Sequence, residues 1–145
     1  MTTSNGSRWF ALAIRVLLAG VFILYGVLKL LRLQLSTGDL SDMHFGDASP
    51  MLVTWHFFNL SPLYHNSIGI AQIITGVLLI GPRTAAIGAL CFFVIILNIV
   101  LINFGYDIAT DVKVFSVILL VLNCVLIRRY WDRYRLLLLP EASLD

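Results

Sequence analysis

The run of apolar residues from Trp9 to Leu31 is the feature that most constrains the fold. A helix needs about 20 residues to cross the hydrocarbon core of a bilayer, and this run is long enough. It is too long for the apolar part of a secretory signal and lacks a cleavage site of small residues, so we expect a helix that stays in the membrane. Three later apolar runs predict three further spans. The four predicted spans are residues 9–31, 63–80, 84–104 and 111–127.

Composition supports a membrane location for the whole chain. Of the 145 residues, 59% are hydrophobic and only 12% are charged. A water-soluble domain of this size could not bury that much apolar surface, because small domains keep much of their surface in water. The predicted fold is an all-α integral membrane protein, a single domain over residues 1–145 in which four transmembrane helices form an antiparallel bundle. A net charge of +2 gives no reason to expect a nucleic-acid partner.

Lysine and arginine are distributed unequally between the two ends of the predicted bundle. Cytoplasmic loops of membrane proteins carry an excess of these residues. One end holds six arginines, whereas the other holds Arg32 and Lys113. The asymmetry predicts that the N-terminus, the turn at Gly81–Arg83 and the tail over residues 128–145 are cytoplasmic. The six arginines are Arg8, Arg83, Arg128, Arg129, Arg133 and Arg135.

The long polar stretch Arg32–Pro62 joins the first two predicted spans and faces outward in this topology. Within it, Met51–Asn59 is apolar and aromatic but too short to cross the bilayer. We expect this segment to form a short helix that lies on the membrane surface or covers the outer end of the bundle.

Cysteines and histidines give little indication of redox or metal chemistry. Cys91 and Cys124 lie inside apolar runs and form no CxxC motif, so we expect small buried residues; a redox or catalytic pair is the alternative. The spacings of His44, His56 and His65 match no metal-binding motif, so no metal site is predicted. No catalytic set of residues is visible.

Polar side chains within the spans are costly in lipid and need a partner or a purpose. Arg15, Phe22 and Lys29 follow one another at intervals of seven and share a stripe of the first helix, although Arg15 lies nearer the cytoplasmic end. If such stripes face inward, they line an outward-opening pocket with Lys29, Asp107 and Lys113 as one coupled cluster at its mouth. The predicted ligand-binding residues are Arg15, Phe22, Tyr25, Lys29, Gln72, Asn98, Asn103, Tyr106, Asp107 and Lys113.

Structural hydrogen bonding is the alternative for the same residues. Asparagine, glutamine and serine side chains often hold membrane helices together, each contributing about 0.6–2 kcal/mol. Asp107 paired with Lys29 or Lys113 could likewise act as a latch between helices. The sequence leaves both interpretations open.

Three segments together resemble one family of membrane proteins. The pattern R-x6-F-x2-Y-G-x2-K over residues 15–29 resembles the first-helix signature of DoxX-like proteins. The pattern G-x2-Q-x3-G-x-L-L over 69–79, followed by P-R-T at 82–84, resembles the second helix and turn of that family. The pattern N-x4-N-x2-Y-D-x5-K over 98–113 resembles the passage between the third and fourth helices in one bacterial branch. The resemblance covers roughly residues 8–139.

The resemblance implies a four-helix protein of the bacterial inner membrane. Some members of the family are linked to quinone-coupled sulfur oxidation and to membrane complexes that handle oxidative stress. This chain lacks the paired-cysteine motif of the redox-active relatives, so thiol–disulfide chemistry is not expected. Family membership carries architecture better than activity.

These observations suggest a subunit or accessory of a membrane redox system that holds a quinone-like ligand. Lys29 or Lys113 would hydrogen-bond a quinone carbonyl, Asp107 would exchange a proton, and the rings of Phe22, Tyr25 and Phe104 would stack on the ligand. The expected partners are the lipid bilayer, a membrane or periplasmic redox protein, and further copies of the chain. The alternatives are a non-enzymatic assembly factor that binds other membrane proteins and a small transporter that works as an oligomer.

The predicted topology can be tested by labelling. With single cysteines introduced at Ser41 and Ser143 in a background without Cys91 and Cys124, we expect a membrane-impermeant maleimide to label Ser41→Cys in intact cells. Ser143→Cys should react only after the cells are opened. Equal labelling of both sites in intact cells would refute the model in which both termini are cytoplasmic.

Overall fold

The structure is a computed structural model, and it describes residues 5–33, Gly46 and residues 48–138. Residues 34–45 and 47 of the predicted outer loop, which include Ser41 and His44, lie outside the described residues, as does the end of the tail with Ser143.

Every regular element in the described part of the chain is an α-helix, which confirms the predicted all-α class. Four of the helices are long and apolar enough to cross a membrane, namely α1, α3, α4 and α5, as expected of a multi-pass membrane protein. The helices are α1 (Asn5–Leu30), α2 (Pro50–Leu60), α3 (Pro62–Ile80), α4 (Ala85–Gly105), α5 (Thr110–Arg129) and α6 (Trp131–Leu138).

Ser-Pro pairs start α2, which lies within the long polar stretch, and α3, which begins at its end. Ser49 and Ser61 are the N-cap residues of α2 and α3, and each side-chain oxygen accepts a hydrogen bond from a backbone N–H in the first turn. A proline follows each cap, where its fixed φ suits the helix and its missing N–H costs nothing. The short helix predicted over Met51–Asn59 is therefore present as α2.

The start of α5 differs in detail from the sequence-based expectation. Threonine and aspartate are favourable N-cap residues, so the sequence predicts a cap at Thr110 or Asp111. The N-cap residue is instead Ala109, and no side chain caps the helix. Thr110 is the first helical residue. Asp111 lies in the first turn, where its carboxylate meets the positive end of the helix dipole.

Glycines let the backbones of α1 and α3 approach each other closely. A Cβ atom added to Gly26 would lie 2.6 Å from the carbonyl oxygen of Gly69, and one added to Gly76 would lie 2.9 Å from the carbonyl oxygen of Ala19. Small residues at such contacts are typical of membrane helices, which associate by packing because lipid is as apolar as their side chains. The two helices therefore form one close-packed pair along much of their length.

Aromatic stacking joins α1 to α4 across the interior. The rings of Phe22 and Phe92 stack with centroids 3.7 Å apart, and both side chains are almost completely buried. The adjacent pair α4 and α5 is joined by Asn123, whose Nδ2 donates to the carbonyl oxygen of Ala89 at 3.1 Å. A continuous core thus links all four long helices.

Arg15 closes the end of α3. Its Nε donates to the carbonyl oxygen of Leu79 at 2.9 Å, and its second guanidinium nitrogen donates to that of Ile80 at 2.6 Å. The last carbonyls of a helix lack partners within the helix, and a cation there also meets the negative end of the dipole. Arg15, although it lies within the apolar helix α1, is therefore paired with backbone carbonyl oxygens at the end of α3.

The first part of the tail packs onto this same end. The hydroxyl of Tyr134 donates to the carbonyl oxygen of Ala86 at 2.7 Å. Burial and, to a lesser extent, nearby Tyr130 raise the pKa of Tyr134 to about 12, whereas the charge of Arg133 lowers this pKa. Tyr130 and Tyr134 are both buried against the protein, whereas Trp131 is exposed. This part of the tail therefore belongs to the folded core.

Two glycines of α1 provide a matched test of the α1–α3 contact. Gly26→Ala should destabilise the protein by about 1–3 kcal/mol, because the new methyl group would lie 2.6 Å from the carbonyl oxygen of Gly69 and 2.7 Å from Cγ1 of Ile73. Gly20→Ala should be neutral or stabilising by up to about 1 kcal/mol, because nothing lies within 4 Å of its added Cβ and alanine favours helix. Unfolding by sodium dodecyl sulfate in mixed micelles measures both. Equal stability of the two variants would show that the close approach is wrong.

Candidate functional site

A cavity of about 290 Å³ lies where α1 and α4 end and where α3 and α5 begin. We call it the Gln72 cavity. Its walls come from α1, α3, α4 and α5, and α2 contributes Trp55 and Phe58. Apolar and aromatic side chains make up most of the lining, as is usual for sites that bind small organic molecules.

Six of the ten residues predicted from the sequence line this cavity, and four do not. Arg15 lies at the opposite end of α1, where it binds the end of α3. Tyr106, Asp107 and Lys113 lie beside the cavity, at the junction between α4 and α5. The six lining residues are Phe22, Tyr25, Lys29, Gln72, Asn98 and Asn103. Their role in binding stays a prediction.

Sequence reasoning missed several aromatic lining residues and one histidine. Trp55 and Phe58 belong to the segment that was expected to cover the bundle, so its aromatic composition was the available signal. His65 precedes Gly69 by four residues and Gln72 by seven, so its position on their face of the helix was the available signal. Tyr64 and Phe115 follow no polar stripe, and their positions depend on how the helices pack. Ser116 lines the cavity as well.

Gln72 is the polar group at this site that is left without a partner. Its side chain is only 2% exposed, and its Oε1 accepts no hydrogen bond from any described residue. Leaving a buried acceptor unpaired costs about 1–3 kcal/mol, so such an atom calls for an explanation. Its position in the wall of a cavity indicates that a bound molecule with a hydrogen-bond donor would satisfy it.

Lys29 lies at the end of α1 and is positioned by α3. A Cβ atom added to Gly69 would lie 3.2 Å from the Cβ of Lys29, so the lysine stem packs directly over this glycine. The Lys29 Nζ lies 5.9 Å from the centroid of the Tyr25 ring, within the range of a cation–π interaction. Gln72 follows Gly69 by three residues, about one helical turn. A cationic donor and a neutral amide are thereby placed one turn apart on the same wall.

His65 helps to close the end of α1. It is 4% exposed, and its Nε2–H donates to the carbonyl oxygen of Lys29 at 3.0 Å. The chain then leaves the helix through Arg32, whose φ is 55°, and the N–H of Leu33 bonds back to the carbonyl oxygen of Leu28 at 2.9 Å. This pattern is a Schellman motif, a common helix end. His65 therefore has a structural partner.

Asn103 and Ser116 satisfy each other across the junction of α4 and α5. Asn103 Nδ2 donates to Ser116 Oγ at 3.1 Å, and Ser116 Oγ donates to the carbonyl oxygen of Lys113 at 2.9 Å. Both side chains are buried. For these two residues the structural interpretation accounts for the contacts, in contrast to Gln72.

Asp107 ends α4 and pairs with Lys113 at the start of α5. Its φ is 49°, a left-handed conformation that aspartate tolerates better than most residues, and the N–H of Ile108 bonds back to the carbonyl oxygen of Asn103 at 2.9 Å. The ammonium of Lys113 donates to a carboxylate oxygen of Asp107. The structure thus brings together two of the three members of the predicted charged cluster. Lys29 lies in the cavity wall, and its coupling to Asp107 stays a prediction.

The ion pair predicts a dependence of stability on pH. The hydrogen bond from Lys113, and then its charge, hold the pKa of Asp107 below its ordinary value of 3.8. Because the pKa of Asp107 is lower in the native than in the unfolded protein, the ion pair stabilises the fold at pH values above the unfolded-state pKa. This contribution is lost as the pH falls through the native-state pKa.

Asp107→Asn isolates this effect, because asparagine also tolerates left-handed backbone but carries no charge. Wild type should be the more stable protein at pH 7, and its advantage should shrink below about pH 4. The advantage should also shrink at high salt, because the carboxylate is exposed. Thermal unfolding in detergent, followed by circular dichroism at several pH values, measures both. An advantage that is independent of pH would rule out the ion pair as its source.

Comparisons with known proteins place the chain among relatives. No protein-family model matches it, and no solved structure matches it. The resemblance to DoxX-like proteins therefore stays a prediction. The chain is 38% identical over 122 residues to a protein of Bacillus subtilis (strain 168) described as "Uncharacterized protein YwoB", in a match that covers 78% of this chain and 71% of that protein. With this identity over more than two thirds of both proteins, the chain belongs to the same family as YwoB of Bacillus subtilis.

Proposed function

We propose that this protein binds a quinone-like lipophilic ligand in the Gln72 cavity and serves as a subunit or accessory of a membrane redox system. The observation that carries the proposal is the unpartnered Oε1 of Gln72, buried in the wall of a cavity that is lined mostly by apolar and aromatic side chains. A ring with polar substituents fits such a site, because the apolar walls accept the ring and the few polar groups orient it.

The lining residues suggest how a ring would be held. Lys29 supplies hydrogen-bond donors for a carbonyl oxygen, and Gln72 Oε1 accepts from a ring hydroxyl, the group that the reduced form of a quinone carries. Tyr25 and Phe115 lie with ring centroids 6.3 Å apart and form an aromatic wall beside these groups. The site thus offers one donor group and one acceptor to a ligand with two oxygens.

Asp107 takes a different part in this proposal from the one inferred from sequence. The carboxylate and Lys113 pair with each other beside the cavity, so Lys29 is the cation that lies in its wall. The pair acts as a latch between α4 and α5. Phe104, one of the rings inferred to stack on the ligand, lies with its centroid 5.8 Å from Lys113 Nζ and belongs to this junction.

We further propose an antiparallel bundle with both termini in the cytoplasm of a bacterial cell. The unequal distribution of arginine supports this orientation, and a Bacillus subtilis relative supports a bacterial membrane. The Gln72 cavity then opens in the outer half of the bilayer, where a redox partner at the outer surface could approach it.

A partner-binding role is the second candidate, and one observation favours it. Phe57 and Leu60 of α2 and Leu63 of α3 are 61%, 65% and 82% exposed, and they follow the long polar stretch near the same end as the cavity. Exposed apolar groups near a membrane surface are typical of contacts with other membrane proteins or with lipid. This surface would suit an assembly factor without any bound ligand.

The first test is the ligand content of the protein. The full chain, purified in a mild detergent from a quinone-producing bacterium, should retain a quinone that organic solvent extracts and chromatography detects by its ultraviolet absorption. The retained amount should approach one molecule per chain after lipid in the micelles is subtracted. An unrelated four-span membrane protein purified in the same way is the control, and equal quinone in both samples would refute the proposal.

Gln72 and Asn123 provide a matched pair of variants. Each is a buried amide with an unpartnered side-chain oxygen, but only Gln72 lines the cavity. Gln72→Met should weaken binding of the reduced quinone, whose ring hydroxyl donates to Gln72 Oε1, by about two- to tenfold, the effect of losing one ordinary hydrogen bond, and should leave the ligand-free protein as stable as wild type or more so. Asn123→Leu should cost about 1 kcal/mol of stability through the lost bond to Ala89, and leave binding unchanged.

Titration of a short-chain quinone, kept in its reduced form under anaerobic conditions, into the ligand-free variants, with thermal unfolding measured in parallel, separates these outcomes. Unchanged binding by Gln72→Met would remove the observation on which the proposed site depends. A loss of stability without a loss of affinity in that variant would assign Gln72 a purely structural role.

A further inference from the structure

The helices α3 and α4 are in closest contact near the turn that joins them. A Cβ atom added to Gly88 would lie 2.7 Å from the backbone nitrogen of Leu79, and Thr84 Oγ1 donates to the carbonyl oxygen of Leu78 at 2.8 Å. The two backbones therefore almost touch at this end, and no space for a ligand is left between them there.

Farther from the turn, the same two helices leave a gap. Ala71 on α3 and Val94 and Asn98 on α4 line the Gln72 cavity, yet all three are exposed on the outside of the protein, Val94 to 68%. A side chain that both lines a cavity and is exposed outside marks a place where the wall is incomplete. We call the opening between these three residues the α3–α4 gap.

The gap lies at the level of the lipid tails. Ala71 precedes Gly81 by ten residues, and Val94 follows Thr84 by ten residues. Ten helical residues span about 15 Å, which is half of the roughly 30 Å of a hydrocarbon core. The two residues therefore lie at a similar depth, near the middle of the membrane.

The opposite side of the cavity is less exposed than the α3–α4 gap. Tyr25 of α1 and Phe115 of α5 bring their rings within 6.3 Å between centroids, across the junction of these two helices. Trp55 and Phe58 of α2 contribute to the lining at the end where α3 begins. Val94, at 68%, is more exposed than any lining residue of the other described walls, where Tyr64 at 47% and Phe115 at 40% are the most exposed, so the wall between α3 and α4 is the most open one.

We propose that the α3–α4 gap is a lateral opening through which the apolar tail of the bound ligand passes into the bilayer. The ligand class is then a long-tailed amphiphile that resides in the membrane, with its polar ring in the Gln72 cavity. This inference rests on the proposed function. At about 290 Å³, the cavity is at the lower end of the range for pockets that enclose drug-sized molecules, so a ring headgroup fits and a long tail must lie outside.

The polar group at the gap is consistent with such a path. Asn98 carries an amide on a membrane-spanning helix, where an amide facing lipid costs free energy. At the edge of an opening, the same amide can hydrogen-bond the oxygen substituents of a ring as the ring passes or settles. A tail leaving through the gap exchanges one apolar surrounding for another, so it can remain in lipid without a penalty.

The test compares two probes with the same ring, 2,3-dimethoxy-5-methyl-1,4-benzoquinone with and without a decyl chain. The full chain in lipid nanodiscs is equilibrated with each probe, and bound probe is quantified by chromatography after empty nanodiscs are subtracted. Ala71→Trp and Val94→Trp fill the gap from either side. Ile74→Trp and Leu90→Trp are the controls, because these residues are exposed on the same helices but do not line the cavity.

We expect each gap variant to lower affinity for the decyl probe about tenfold more than affinity for the tailless probe, as overpacking of a narrow passage implies. The control variants should leave the ratio of the two affinities as in wild type. An unchanged ratio in both gap variants, in protein that unfolds at the wild-type temperature, would overturn the lateral opening. Failure of wild type to bind either probe would instead overturn the proposed function, and the inference with it.

Discussion

The close backbone contact between α1 and α3 determines where the functional groups lie. Gly26 and Gly69 face each other at this contact, and Lys29 packs over Gly69 from the next turn of α1. Gln72 follows Gly69 on the same helix. Any side chain at the contact would separate the two helices, so the placement of the lysine beside the glutamine depends on two residues that have no side chains themselves.

Satisfaction of backbone polar groups is the second constraint, because the membrane supplies no water to helix ends within it. Arg15 provides donors for the last carbonyls of α3, and His65 provides one for the end of α1. Two residue types that usually indicate chemistry therefore serve to close helices. Among the polar groups of the cavity wall, Gln72 has the buried oxygen without a partner, and Lys29 is the cation placed beside it.

The two interpretations of the polar residues apply to different residues of the same protein. Asn103, Ser116 and Asn123 make hydrogen bonds between neighbouring helices, as structural residues do. Gln72 keeps a buried oxygen without a partner, beside space large enough for a ring. Asn123 also has a buried oxygen without a partner, but it does not line the cavity, so the position of Gln72 beside that space distinguishes it from the amides that hold the helices together.

The sequence by itself determined the number and type of the long helices, because runs of apolar residues near 20 in length leave few alternatives in a membrane protein. It also indicated the short helix α2 and the depth at which polar groups collect. Helix ends were less predictable: Thr110 and Asp111 looked like caps, but the backbone of the α4–α5 connection made Ala109 the N-cap residue. Only tertiary structure decided that Arg15 binds the end of α3, that Tyr130 and Tyr134 are buried, and that aromatic residues of α2 line the cavity. These outcomes depend on how helices rotate and tilt against one another, and an apolar sequence surrounded by lipid says little about rotation because both of its faces are apolar.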